Sequence, residues 1–242
     1  AILSGLVGSE MCIRDRSLQV EWDRLRSVGD RGCWDESKVR DKQEVIAEAK
    51  KAGRKCHFGA LMELCVEKNF DIPGMAKFKG RVVYRGDQVK DETGSFAVFT
   101  EQGASSSVLA AAKMLDAIAR MPGMDGEHSD GRKAYTQVSL EKAAELLRLP
   151  VEQCPKTYIK LPADRRPNWW DKIEDPVVEL KVNLYGHPLG GLLWERFLED
   201  NLKALEWEKV SSWESLYVHR KRQCFLSVYV DDFKICLLYT SP

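Results

Sequence analysis

The stretch FLSVYVDDFKI, residues 225–235, decides the fold. FLSVYV alternates in the period-two manner of a strand, Asp231-Asp232 interrupts it, and FKI resumes extended character. This pattern predicts a β-hairpin with the acidic pair at its tip. Successive strand side chains point to opposite faces, so adjacent carboxylates on a regular strand rarely serve one site. At a tight turn the backbone twists enough to bring both toward one point. Taken alone, the pair reads more readily as solvated turn residues, because Asp is common in turns.

Working outward, SLYVHR (215–220) supplies a further alternating strand, and GLLWERFLEDNLKAL (191–205) has helical spacing. VVELKVNLYG (177–186) is also expected to be helical, with a Gly/Pro break before the next helix. TYIKLP (157–162), HFGALMELCVEK (57–68) and RVVY (81–84) read as strands, ADRRPNWW as a loop, and SLEKAAELLRL (139–149) as a helix ended by Pro150. A helix over Lys38–Lys51 stops at Gly53, and a short one is expected around Glu21–Arg26. Ser105-Ser106-Ser107 can cap a helix carrying Val108, Ala111, Ala112, Leu115, Ile118 and Ala119, stopped by MPG at 121–123. Strands and helices without a regular βαβ rhythm predict an α+β fold.

Composition bounds the function. The chain has 242 residues, 44% apolar and 31% charged, with Lys+Arg and Asp+Glu balanced at 37 each. That balance excludes a strongly basic nucleic-acid coat, but not a local one. Lys77, Lys79, Arg81, Arg85 and Lys90 face a single acid, Asp87, within fourteen residues, leaving a local charge of +4. No apolar run approaches a membrane span. Seven scattered cysteines without a CxxC pair argue against a disulfide framework or zinc ribbon and for an intracellular, reducing setting. Cys56-His57 with Cys65 is only a partial metal set. The four histidines lack metal spacing and are expected in surface or loop positions, and Trp169-Trp170 is expected to cap the core.

Asp130 opens DGRKAYTQ, 101 positions before Asp231. Together with YVDD (229–232), this resembles the palm of a reverse transcriptase of copia-type LTR retrotransposons. There a first Asp opens D-x-x-x-A-aromatic, matched here by Asp130, Ala134 and Tyr135, and a YVDD hairpin carries the second and third. TYIKLP is similar to the family's Y-(M/I)-x-x-P strand, and VVELKVNLYG with Trp194 to its V-x-x-L-x-x-x-LYG…W. KGRVVYRG (79–86) with SFAVF (95–99) is similar to its KARLVARG and downstream F-x-P-V. The match runs from about Trp22 to Ile235. Its departures are Leu189 where the family has a Gln near the nucleotide, and Gly131 where it has Val, which is expected to loosen the strand.

The resemblance implies reverse-transcriptase-like fingers (17–125) and palm (126–235), with an antiparallel palm sheet backed by helices and no thumb or RNase H region. It implies RNA-directed DNA polymerisation, in which a deoxynucleoside triphosphate is added to a primer 3′-hydroxyl on an RNA or DNA template. Two Mg²⁺ ions would be held by Asp130, Asp231 and Asp232, the first two bridging both ions. Tyr135 would exclude a ribose 2′-hydroxyl by bulk, Arg81 would offer the triphosphate a cation, and the Gly190 backbone would approach the nucleotide. A solvated charge run at Arg81 and a core aromatic at Tyr135 are the plainer alternatives.

The first residues, AILSGLVGSEMCIRDR, and the last, CLLYTSP, resemble translated adapter sequence. Residues 1–16 and 236–242 are therefore expected to be non-native tails on a piece of a longer retroelement polyprotein. Such a piece is expected to be inactive alone, in a cytoplasmic particle or nucleus rather than at a membrane. Two other readings stand beside this one. One is a decayed or domesticated palm that binds nucleic acid without catalysis; the other is an unrelated α+β interaction protein with Asp130 far from Asp231.

Overall fold

A computed structural model describes residues 2–27, 32–99 and 109–238. In chain order the main elements are α1 (Ile2–Arg26), β1 (Arg40–Asp41), α2 (Lys42–Lys51), β2 (Cys56–Lys68), β3 (Lys77–Tyr84), α3 (Leu109–Ala119), β4 (Met124–Asp130) and α4 (Ala143–Leu147). They continue with β5 (Lys156–Lys160), β6 (Pro176–Glu179), α5 (Gly190–Ala204), β7 (Glu208–Lys209), β8 (Leu216–His219), β9 (Cys224–Tyr229) and β10 (Asp232–Leu238). The fold is mixed α+β with two mostly antiparallel sheets. The serines expected to cap α3, and Val108, lie outside the described residues.

The chain forms two discontinuous units. The first takes the described residues up to Phe99 together with Ser139–Pro188; the second takes those from there to Val138 together with Leu189 onward. In the first, the sheet order is β1-β6-β5-β2-β3, and only β2 with β5 runs parallel. Its core gathers Trp22 and Leu25 of α1, Trp34, Leu61, Val82, Ile159, Trp170, Val178 and Leu180. Trp170 is fully buried, with its indole N–H donated to the Glu36 carbonyl at 3.2 Å, while Trp169 is half exposed.

VVELKVNLYG is not a helix. Val177 and Val178 belong to β6, and the chain then stays extended, bridging Leu180 to Trp34 and Val182 to Ser139. Val178, Leu180, Val182 and Leu184 recur at period two, and β-branched residues favour a pleated, buried surface. Gly186 closes this segment at φ +86; a Cβ there would lie 2.1 Å from the Tyr84 carbonyl oxygen, so the turn admits only glycine. The Tyr84 N–H donates to the Tyr185 carbonyl at 2.8 Å beside it.

Three helices differ from expectation. α4 starts only at Ala143, after a 3₁₀ turn over Leu140–Lys142, and is ended by Arg148 in the left-handed region at φ 55 before Pro150 is reached. α2 and α1 differ at their starts. α2 begins at Lys42 because Arg40-Asp41 pairs with Pro176-Val177, and the Asp41 carboxylate then accepts the Gln43 N–H at 2.8 Å as a cap. α1 extends far upstream of Glu21. Two histidines are buried, His187 in a loop as expected and His219 on β8 against expectation. His187 is buried with Nε2 3.2 Å from the Thr157 hydroxyl, and His219 is buried against the Trp207 ring. Burial pushes His187 down to about 3. None of the seven cysteines forms a disulfide. Among the described residues no helix is long and apolar enough to cross a membrane.

The second unit carries the hairpin. Its sheet, β4-β10-β9-β8-β7, is antiparallel throughout, with β10 paired on both sides. Strand alternation divides its side chains between two helices. Leu216, Phe225 and Cys236 pack with Ala111 and Leu115 of α3. Tyr217, Leu226, Val228, Phe233 and Ile235 pack with Leu198 and Leu202 of α5. Burial of both faces fixes the register of β9 and β10, since a one-residue slip would exchange the two sets.

Candidate metal centre

The hairpin closes in two residues: Tyr229 pairs with Asp232, leaving Val230 and Asp231 as the turn. Right-handed strand twist favours turns with positive φ at the first central position, usually glycine. Here Val230 takes that position at φ 57. A β-branched residue in this region carries strain, which persists only where surrounding contacts enforce it. One such contact is the Trp194 indole of α5, whose N–H donates to the Val230 carbonyl at 2.7 Å.

Asp130 ends β4 directly opposite Asp232 on β10. The Gly131 N–H donates to the Asp231 carbonyl at 2.5 Å, which makes residues 131 and 231 a hydrogen-bonded pair. Because such pairs alternate along an antiparallel ladder, Asp130 and Asp232 form the non-hydrogen-bonded kind, whose side chains stand closest. Ligand oxygens of Asp130, Asp231 and Asp232 all lie within 4.8 Å of one another. Asp231 is half-buried at the turn; Asp130 and Asp232 are exposed.

Like charges placed opposite each other destabilise a sheet. Two carboxylates ~5 Å apart repel by about 3 kcal/mol at an effective dielectric of 20. Three acids held this way by register, turn and tryptophan could hold a metal ion, and hard oxygen donors in a compact set suit a small divalent cation. Among the described residues no Cys- or His-bearing group of three meets the same distance criterion, so Cys56, His57 and Cys65 do not form one.

Gly131 does not loosen this corner as expected. A Cβ there would sit 2.9 Å from the Phe233 ring and 3.2 Å from the Asp231 carbonyl oxygen, so the missing side chain lets the backbone close on the hairpin. Tyr135 begins a 3₁₀ turn (Tyr135–Gln137) that packs against α5, and Gly190 is the buried first residue of α5, both in the same unit as the acids. Arg81 lies on β3 in the other unit, its guanidinium 5.1 Å over the Tyr185 ring. The Trp194–Val230 bond was not foreseen; the only sequence signal for it was a tryptophan on the buried face of a helix.

No protein-family model matches the chain, and no curated protein matches it.

Proposed function

We propose that this chain is fingers and palm of an RNA-directed DNA polymerase of a copia-type retroelement. The observation that carries this reading is the meeting of three carboxylates from positions 101 residues apart, at the end of an antiparallel sheet with helices on both faces. An accidental acidic turn has no reason to stand opposite a third acid on a neighbouring strand.

The donor set fits Mg²⁺: three carboxylates, close together and open to solvent on one side. Two bound Mg²⁺ ions would lower the pKa of a primer 3′-hydroxyl and stabilise the leaving pyrophosphate. Asp130, Asp231 and Asp232 would hold the ions in this reading. The hairpin keeps Asp231 and Asp232 in place, because reorganising them during the reaction would add to the barrier. In this reading Tyr135 excludes a ribose 2′-hydroxyl and the Gly190 backbone borders the nucleotide. The partners are a primed RNA or DNA template, a deoxynucleoside triphosphate and the rest of a polyprotein, in a cytoplasmic particle or nucleus.

The test is primed-template extension by the full-length open reading frame containing this chain, with Mg²⁺, with and without Asp231→Ala. Incorporation should fall at least a hundredfold or so in the variant. Equal incorporation would remove the assignment.

A further inference from the structure

The face of the sheet that carries Asp130 and Asp232 also carries a cation. Lys234 lies two residues beyond Asp232 on β10 and therefore on the same side, directly opposite His128, which is two residues before Asp130. Diagonal neighbours on a sheet face are within reach of a long side chain. A four-carbon stem at this position can thus turn toward the acidic trio or away from it. In the structure it is engaged by α3: its Nζ lies 2.6 Å from the Asp116 carboxylate and donates to the Ala112 carbonyl at 3.4 Å. The Lys234 side chain is only 17% exposed, held under the helix, and His128 Nε2 lies 3.9 Å from the other Asp116 oxygen.

We propose that Asp116 is a positioning residue that holds Lys234 away from Asp130 and Asp232 and so keeps the cation site open. The inference rests on the proposed cation site. Without the Asp116 carboxylate, the acids reachable along Lys234's own face are Asp232 and, diagonally, Asp130. An ammonium docked there would neutralise charge and occupy oxygens that a divalent cation requires. Asp116 therefore acts through Lys234 and touches neither metal nor substrate.

A double-mutant cycle separates this from simple loss of a nearby negative charge. Mn²⁺ binding is titrated by the electron paramagnetic resonance signal of the free ion, with the parent chain, Asp116→Asn, Lys234→Met, the double variant and Asp116→Glu. Asp116→Ser runs in parallel with Asp116→Asn, and far-UV circular dichroism checks the fold of each. Asp116→Asn should weaken Mn²⁺ binding roughly tenfold, the scale expected when one charge moves into contact with the site. Asp116→Glu should retain parental affinity. In the Lys234→Met background, Asp116→Asn should change affinity by less than about twofold. An equal loss in both backgrounds, or no loss in either, would overturn the inference. No Mn²⁺ binding by the parent chain would instead reject the cation site itself.

Discussion

Trp194 and Val230, 36 positions apart, are joined by a hydrogen bond of 2.7 Å from an indole on a buried helix face to the carbonyl at the hairpin tip. The bond ties the geometry of two carboxylates to the packing of α5. Trp194→Phe removes the donor while keeping most of the ring. It should cost about 1–3 kcal/mol in a urea melt, because the tip carbonyl loses its partner. It should also weaken Mn²⁺ binding, though no acid has been changed.

Val230 tests the strain directly. At φ 57 it occupies a region that glycine enters freely. Relief of strain worth about 1–3 kcal/mol is opposed by the greater unfolded-state freedom of glycine, worth up to about 1 kcal/mol. Val230→Gly should therefore be at least as stable as the parent by urea denaturation. Val228→Ala, two residues earlier in the α5-facing core, should lose about 1–3 kcal/mol.

Gly131 gives the opposite expectation. A valine there, the residue of the retroelement family, would need to displace the Phe233 ring or the Asp231 carbonyl. Gly131→Val should destabilise by about 1–3 kcal/mol and separate Asp130 from the hairpin, read as weaker Mn²⁺ binding together with a lower urea midpoint. A variant that binds and melts like the parent would mean that the close approach is not needed.

Acid should loosen the first unit through His187. Burial holds this imidazole neutral, with its pKa down to about 3, whereas the unfolded chain takes up the proton near 6.5. Between those values the unfolded state binds the extra proton. Stability from this residue is therefore complete above about pH 6.5 and falls by up to about 1.4 kcal/mol per pH unit as pH drops toward 3. His57, also lowered mainly by burial, acts in the same direction. Urea midpoints measured at about pH 7.5 and 5.5 should differ, and His187→Gln should reduce the difference.

Much of the second unit's sheet was legible. The strands around Asp231 and Asp232 alternate cleanly, because each buries one set of side chains against α3 and the other against α5. β4 was not legible as a strand: MDGEHSD is polar and mostly exposed, and it is held at the sheet edge by its pairing with β10. VVELKVNLYG misled because Leu180 and Leu184 sit four apart, as on a helix face, while the same residues with Val178 and Val182 also satisfy period two. Four such residues with two β-branched valines favoured the strand.

For the site, the sequence carried the identity of the three acids but not the means of holding them. Val230's backbone, the Trp194 donor and the space left by Gly131 are tertiary facts, set by residues far from the acids along the chain. Gly131 taken alone suggested looseness, and only the neighbouring Phe233 ring and Asp231 carbonyl give it a purpose. The Asp116–Lys234 pair was equally hidden, since a helix residue and a strand residue 118 positions apart share no local signal.

The most direct test of convergence changes Asp130 alone, the acid remote from the hairpin in sequence. Mn²⁺ titration of the parent, Asp130→Asn and Asp231→Asn should give comparable losses in the two variants, each of about tenfold or more, since removing one charged ligand typically costs more than about 1.4 kcal/mol. Parental affinity in Asp130→Asn beside a large loss in Asp231→Asn would contradict a shared site and leave only an acidic turn.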